Sequence, residues 1–233
     1  MKIENVHVYG FESALRGMRN PLESWERGDS RFYLHNFLDG AGHVAEYQKL
    51  YPSTKIRASE YPIVGPADLK LACKLIKAGG SHRKFLRQIC VWWDITIPRY
   101  IWQELDTYKV ATVRNSCSTM FTLGMRNLAP KDFEGEQVST VVLDELNHRG
   151  AIMREGKRTA EQITAIKRAL PEGFLQKATY SFNYETALKM VYDRWNHRMP
   201  EWSGPDGIVS VLTSLPYMNI FLEAAGHSSM VQL

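Results

Sequence analysis

The segment Ser81–Phe121, SHRKFLRQICVWWDITIPRYIWQELDTYKVATVRNSCSTMF, decides how the chain is to be read. Ile89, Val91, Trp93, Ile95 and Ile97 are apolar at alternate positions, while Gln88, Asp94 and Thr96 stand among the others. That period of two predicts a strand with one buried face. Pro98 then opens a helix, because proline suits a first turn, where its missing N–H is no loss. Ile101, Leu105 and Tyr108 share a face of that helix, and the chain loosens into a polar loop from Thr112 to Thr119. The loop holds five small polar side chains in a row, Asn115, Ser116, Cys117, Ser118 and Thr119. Such a run wraps a ligand, or caps a helix through local backbone bonds.

Upstream, Ile3 to Val8 alternates as a short strand that Gly10 ends, and Phe11, Ala14, Leu15 and Met18 share a face of a helix closed by Asn20-Pro21. From there to about Gly65 the mixture of Gly, Asp, Pro and aromatic residues reads as loop, with a short helix around Val44 to Leu50. Pro66 and Asp68 suit the first turn of a helix with Leu69, Cys73 and Ile76 on one side, and Gly79-Gly80 ends it. Downstream, Val138, Val141, Val142, Glu145 and Leu146 outline one helix and Ala160 to Ala169 another, stopped by Leu170-Pro171. A third is expected from Thr179 to about Arg198, with Phe182, Ala187, Met190, Val191 and Arg194 at helical spacings. Gly207 to Leu215 reads as the last helix, before a tail polar enough to fray after Glu223. The pattern is α+β, a helix-rich single domain over 1–233 with a small antiparallel sheet.

With 233 residues, 44% of them hydrophobic, the chain can bury a full core without disulfide staples. Three cysteines with no CxxC pair suit a reducing, cytoplasmic setting and argue against zinc. No stretch approaches the roughly 20 apolar residues of a membrane span. The net charge of +4, from 29 basic and 25 acidic side chains, suits a small anionic ligand and does not call for nucleic acid. A nucleic-acid reading would rest on the basic segment Arg83 to Arg87 and on the aromatic residues.

No P-loop, GxGxxG, GxSxG or HExxH pattern is present. His82, after a glycine pair, can contact a cofactor phosphate or pair with a backbone carbonyl. Cys117 as a nucleophile would need a neighbouring base or a positive field. Arg194, on a mainly apolar helix face, should meet either a carboxylate or an anionic ligand.

The register of the opening segment resembles that of the flavin-dependent thymidylate synthases, also called thymidylate synthase complementing proteins. That family runs from Gly-His through a strand and a proline-opened helix to Arg-His-Arg, then Ser and Glu-x-Ser-x-Arg-Tyr. Here Ser81-His82 falls on the Gly-His, Pro98 on the proline, and Thr107-Tyr108-Lys109 on the Arg-His-Arg. Thr112 takes the place of the first serine, Asn115 of the glutamate, Cys117 of the second serine, Thr119 of the arginine and Met120 of the tyrosine. Leu170-Pro171, followed by Asn183 and then Arg194, is similar to the family's second signature, with Lys167-Arg168 near another phosphate-binding position. The resemblance runs roughly from His82 to Arg198.

It implies a homotetramer with flavin adenine dinucleotide (FAD) and deoxyuridylate (dUMP) bound between chains and no metal. The pyrimidine would be methylated with carbon from methylenetetrahydrofolate and hydride from reduced flavin. On this likeness His82, Thr107, Lys109, Asn115, Asn183 and Lys189 would contact the flavin nucleotide. Glu104, Ser116, Cys117, Ser118, Thr119 and Arg194 would contact the pyrimidine nucleotide, with Arg194 and Cys117 at the reacting end. Thr107, Lys109 and Thr119 depart from the family's arginines. An arginine fork binds phosphate bidentately, with charged hydrogen bonds of ~1.5–3 kcal/mol each, whereas lysine acts as a point charge and threonine carries no charge. Glu104 brings a carboxylate towards a phosphate, which is unfavourable without an intervening cation. The alternative is a non-catalytic nucleotide-binding or regulatory oligomer that kept the scaffold. Arg16, Arg19, Arg27 and Arg31 are candidates to replace the missing charge.

Overall fold

The computed structural model describes residues 1–34, 60–156 and 158–230; the helix expected around Val44 to Leu50 lies outside them. Strand β1 (Lys2–Tyr9) buries Val6 and Val8, and helix α1 (Phe11–Gly17) buries Phe11, Ala14 and Leu15. Gly10 between them has φ 96°, and a Cβ there would stand 2.3 Å from the Gln88 carbonyl oxygen. Only glycine meets both demands. Strand β2 (Arg31–Leu34) pairs antiparallel with β3 (Glu60–Ile63), Arg31 opposite Ile63. Helix α2 (Pro66–Lys77) buries Asp68, Ala72 and Ile76, so its inner face is turned from the Leu69, Cys73 and Ile76 line expected. The reason is Asp68, which enters the interior to meet Arg19.

Strand β4 (Cys90–Pro98) shows the anticipated alternation: Val91, Trp93, Ile95 and Ile97 are fully buried while Trp92 is exposed. Helix α3 (Arg99–Leu105) follows the proline and buries Ile101, Trp102 and Leu105. The expected polar loop is in part a strand, β5 (Val113–Ser116), followed by the single turn α4 (Thr119–Thr122). β5 lies at the end of the four-stranded order β1-β4-β6-β5, and its exposed side chains left no periodic signal. Helices α5 (Thr140–Glu155) and α6 (Ala160–Ala169) come next, and α6 begins with a capping box between Thr159 and Gln162.

The helix expected from Thr179 is corrected by strand β6 (Leu175–Asn183), in which Ala178, Tyr180 and Phe182 are buried in alternation. Helix α7 (Tyr184–Arg194) starts only after Asn183, whose Oδ1 accepts the Thr186 amide at 2.9 Å. Phe182 therefore belongs to a period of two that runs into a helical period across one capping residue. Short helices α8 (Pro200–Ser203) and α9 (Ile208–Thr213) lead to α10 (Met218–Ala224), which was not anticipated. It buries Met218, Phe221 and Leu222, so the chain stays ordered beyond the expected last helix. The helix-rich α+β class expected from the sequence holds.

The described residues group into two compact units. One holds Met1–Lys2, Asp94–Thr107 and Arg114–Thr179, and the larger holds the remainder. In the larger unit aromatic rings interlock edge to face or tilted: Phe11 with Tyr184 at 5.3 Å, Phe85 with Phe221 at 6.2 Å, Trp93 with Phe182 at 4.6 Å. The smaller has its own core of Leu123, Leu128, Phe133, Leu146, Met153 and Ile166 with Leu170 and Phe174. Among the described residues no single helix is long and apolar enough to cross a membrane.

Candidate functional site

The residues singled out from the sequence divide between the two units. Arg194, Asn183, Lys189, Lys109 and His82 belong to the larger; Glu104, Thr107 and the run Asn115 to Thr119 belong to the smaller.

In the larger unit Arg194 ends α7, where the negative end of the helix dipole favours a cation. Its Nε donates to the Tyr108 hydroxyl at 3.1 Å, and the guanidinium lies 5.0 Å from the centre of the Trp202 ring and 5.9 Å from that of Tyr108. Trp202 is fully buried in α8 and Tyr108 is 6% exposed, so a cation is held between two ring systems. Burial pushes the Tyr108 phenol up to about 12, against the pull of the adjacent Arg194. It is a neutral hydrogen-bonding group throughout the physiological range.

Asn183 is buried and caps α7, at the end opposite Arg194, so the two stand roughly 16 Å apart at 1.5 Å per residue. Lys189 is exposed on the same helix and pairs with Asp193 at 2.8 Å. Lys109 is exposed beside Tyr108. Its stretch is fastened by Thr112 Oγ1, which donates to the Tyr108 carbonyl at 2.7 Å, and by Thr186 Oγ1, which donates to the Val110 carbonyl at 3.0 Å. His82 is exposed at the rim of a cleft of about 300 Å³ walled by Met18, Leu71, Leu75 and Phe85. The neighbouring Arg83 binds Glu185 of α7 bidentately at 2.9–3.1 Å, which ties this turn to the helix.

In the smaller unit the polar run is anchored through its backbone. The Cys117 amide donates to the Lys177 carbonyl at 2.9 Å, and the Cys117 carbonyl accepts Gln176 Nε2 at 2.7 Å. The Cys117 thiol is free and exposed, as is the Asn115 side chain, while Ser116, Ser118 and Thr119 are half-buried. Ser118 accepts both the amide and the hydroxyl of Thr122 at 2.9 Å through its carbonyl. Arg158 donates to the carbonyls of Met120, Phe121 and Leu123, closing α4 from outside. Thr107 Oγ1 donates to the Glu104 carbonyl at 2.7 Å.

Sequence reasoning passed over Arg114. It donates to Asp106 at 2.7 Å and stacks 4.6 Å above the Trp102 ring, whose Nε1 donates to the Gln176 carbonyl at 2.9 Å. The available signal was an arginine immediately before the polar run, within the loop from Thr112 to Thr119; the small polar side chains after it are the more conspicuous feature. Of the N-terminal arginines, Arg19 is held inside by Asp68 at 2.7 Å, whereas Arg16 is exposed on a polar cleft of about 460 Å³ with Trp25 and Gln88.

Among the described residues no group of three or more metal-ligating side chains exists. No family model matches the sequence, and no curated protein does. Solved structures do match. A flavin dependent thymidylate synthase, ThyX, from Helicobacter pylori, complexed with FAD and dUMP, aligns at a TM-score of 0.64 and 15% identity over 96% of this chain and 99% of that one. A second Helicobacter pylori structure, described as Thymidylate Synthase X (ThyX) with FAD and dUMP, gives 0.63 and 15% over 97% and 100%. At that identity the likeness speaks for the fold, and the fold of this chain is that of the flavin-dependent thymidylate synthases.

Proposed function

We propose that this protein is a flavin-dependent thymidylate synthase, methylating dUMP with methylenetetrahydrofolate and reduced FAD. The observation that carries the reading is the likeness to ThyX over nearly the whole length of both chains. Within that frame Arg194 is an oriented cation at the position the sequence resemblance associates with the pyrimidine nucleotide.

The residues present suit a flavin nucleotide by their donor chemistry. Lys109 supplies an exposed ammonium, His82 an exposed imidazole, and Thr107 and Asn115 supply neutral polar groups. Bound and reduced, the flavin supplies a hydride. The chain's own contribution is to bind and orient: Arg194 holds the anionic nucleotide, and the backbone-anchored run Asn115 to Thr119 presents hydroxyl, amide and thiol groups. With Thr107 and Lys109 in place of arginines, phosphate is gripped by a point charge, so affinity for FAD is expected to fall roughly tens- to thousands-fold below that of a bidentate arginine site. Self-association is part of the reading, and the exposed apolar side chains of Met120, Phe121 and Met125, at 53%, 76% and 65%, support it.

A non-catalytic nucleotide-binding oligomer is the second reading. It is favoured by Thr107, which stands where the family has arginine and whose hydroxyl donates to the Glu104 carbonyl. One set of measurements separates the two: FAD and dUMP titrations, then conversion of dUMP to thymidylate with methylenetetrahydrofolate and reduced flavin, and rescue of a thymidine-requiring strain. Turnover and rescue are expected. Binding without either would favour the second reading, and no binding of FAD or dUMP at millimolar concentration would sink both.

A further inference from the structure

Arg194 is presented by more than its own helix. Tyr108 reaches it from the stretch between α3 and β5, and Trp202 reaches it from α8, so three separate segments of the larger unit converge on one guanidinium. The two rings stand 6.2 Å apart at 57°, and each has its own support. The Tyr108 carbonyl accepts the Thr112 hydroxyl and the nearby Val110 carbonyl accepts that of Thr186, while the Trp202 amide donates to the Met199 carbonyl at 3.0 Å. A planar cation on a long flexible stem has many rotamers, and stacking with a hydrogen bond at Nε removes most of them before any ligand arrives.

We propose that Tyr108 and Trp202 are positioning residues for Arg194, holding the guanidinium in the orientation in which it meets the anionic pyrimidine nucleotide. This rests on the function proposed above. The two residues act by different means. The Tyr108 hydroxyl fixes the rotation of the guanidinium about its stem, while the Trp202 face fixes its height. The resemblance sets Tyr108 on the family's Arg-His-Arg, yet its side chain meets Arg194 and Trp202. Its role here is therefore separate from any direct grip on the flavin.

The test is dUMP and FAD titration calorimetry on the purified full chain and on Tyr108→Phe, Trp202→Leu, Trp202→Phe and Arg194→Ala, with thermal melts alongside and KM and kcat where turnover is measurable. Tyr108→Phe removes only the hydroxyl and is expected to raise the Kd and KM for dUMP about tenfold, as for a hydrogen bond to a charged group. FAD affinity, melting temperature and kcat should stay near wild type. Trp202→Leu should weaken dUMP similarly and Trp202→Phe should restore most of it. Should Arg194→Ala abolish dUMP binding while Tyr108→Phe leaves it within twofold, the positioning role is wrong and the proposed function stands. Equal losses for FAD and dUMP with a lowered melting temperature would also overturn it, as a purely structural effect. Wild-type protein that binds no dUMP would remove the proposed function itself, and an Arg194→Ala variant that binds it normally would overturn the positioning role while leaving that function standing.

Discussion

Arg19 and Asp68 are 5% and 3% exposed and 2.7 Å apart, and they illustrate how a charge in this chain can serve the interior instead of a ligand. Asp68 also accepts the Asp29 and Ser30 amides and the Ser30 hydroxyl, and Arg19 donates to the carbonyls of Ser24 and Arg27. Removing one partner of such a pair strands the other in low dielectric. Asp68→Ala is therefore expected to lose about 3–5 kcal/mol in urea unfolding, and a loss below ~1 kcal/mol would contradict the role given to the pair. Asp132 offers a pH-dependent counterpart. Hydrogen bonds from the Arg126 fork, opposed by burial and aided by the Ala129 amide, hold its carboxyl below the usual range. A depressed folded value means that the stabilisation is complete above the unfolded value of about 3.9 and is lost as pH falls through the lower folded one. Melts from pH 7 to pH 2.5 should show part of the acid destabilisation below about pH 4 vanish in Asp132→Asn. Added salt should shrink the effect, because Arg126 is 60% exposed.

At the scale of elements, α7 shows how a cap can decide a boundary. Phe182, Ala187 and Met190 fit a helical spacing, yet Asn183 breaks the pattern by capping, and the residues before it lie in β6. Asn183→Ala should cost about 1 kcal/mol, while Asn183→Ser keeps an acceptor and most of the stability. FAD titration of the same two variants checks the cofactor contact implied by the sequence. A Kd change that tracks stability points to the cap alone, and a change in Asn183→Ser without lost stability points to a ligand contact. β5 was invisible for another reason. Its partner is supplied by the remote strand β6, and four exposed or half-buried residues carry no alternation of their own. β4 was legible because four of its alternate positions, and Ile89 just before it, all enter the core.

For the whole molecule, the proposed ligands make a thermodynamic prediction. Ligand at about 100 times its Kd stabilises the folded state by about 2.7 kcal/mol. For a chain of 233 residues this corresponds to a rise in melting temperature of roughly 5–10 °C with dUMP, and separately with FAD. Differential scanning fluorimetry with both nucleotides, and with adenosine monophosphate as a control, checks it. A shift with dUMP alone would narrow the protein to nucleotide binding, and equal shifts with the control would remove the specificity claimed.

Strands β1 and β4 and helices α1, α2, α3, α5 and α6 were set locally by side-chain period, proline and caps, which act within a few residues and so can be read along the chain, whereas β2 and β3, which pair with each other, fall in the stretch whose composition reads as loop. The resemblance over 82–198 pointed, through residue types at fixed spacings, to the fold that the solved structures share. Which of those residues meet was decided only in three dimensions. Arg194 and Tyr108 are 86 positions apart, and Trp202, whose importance no spacing marked, completes their contact from a separate helix. Arg114 and Trp102 are joined in the same way. Convergence of this kind depends on packing between distant segments, and a single sequence holds no local trace of it.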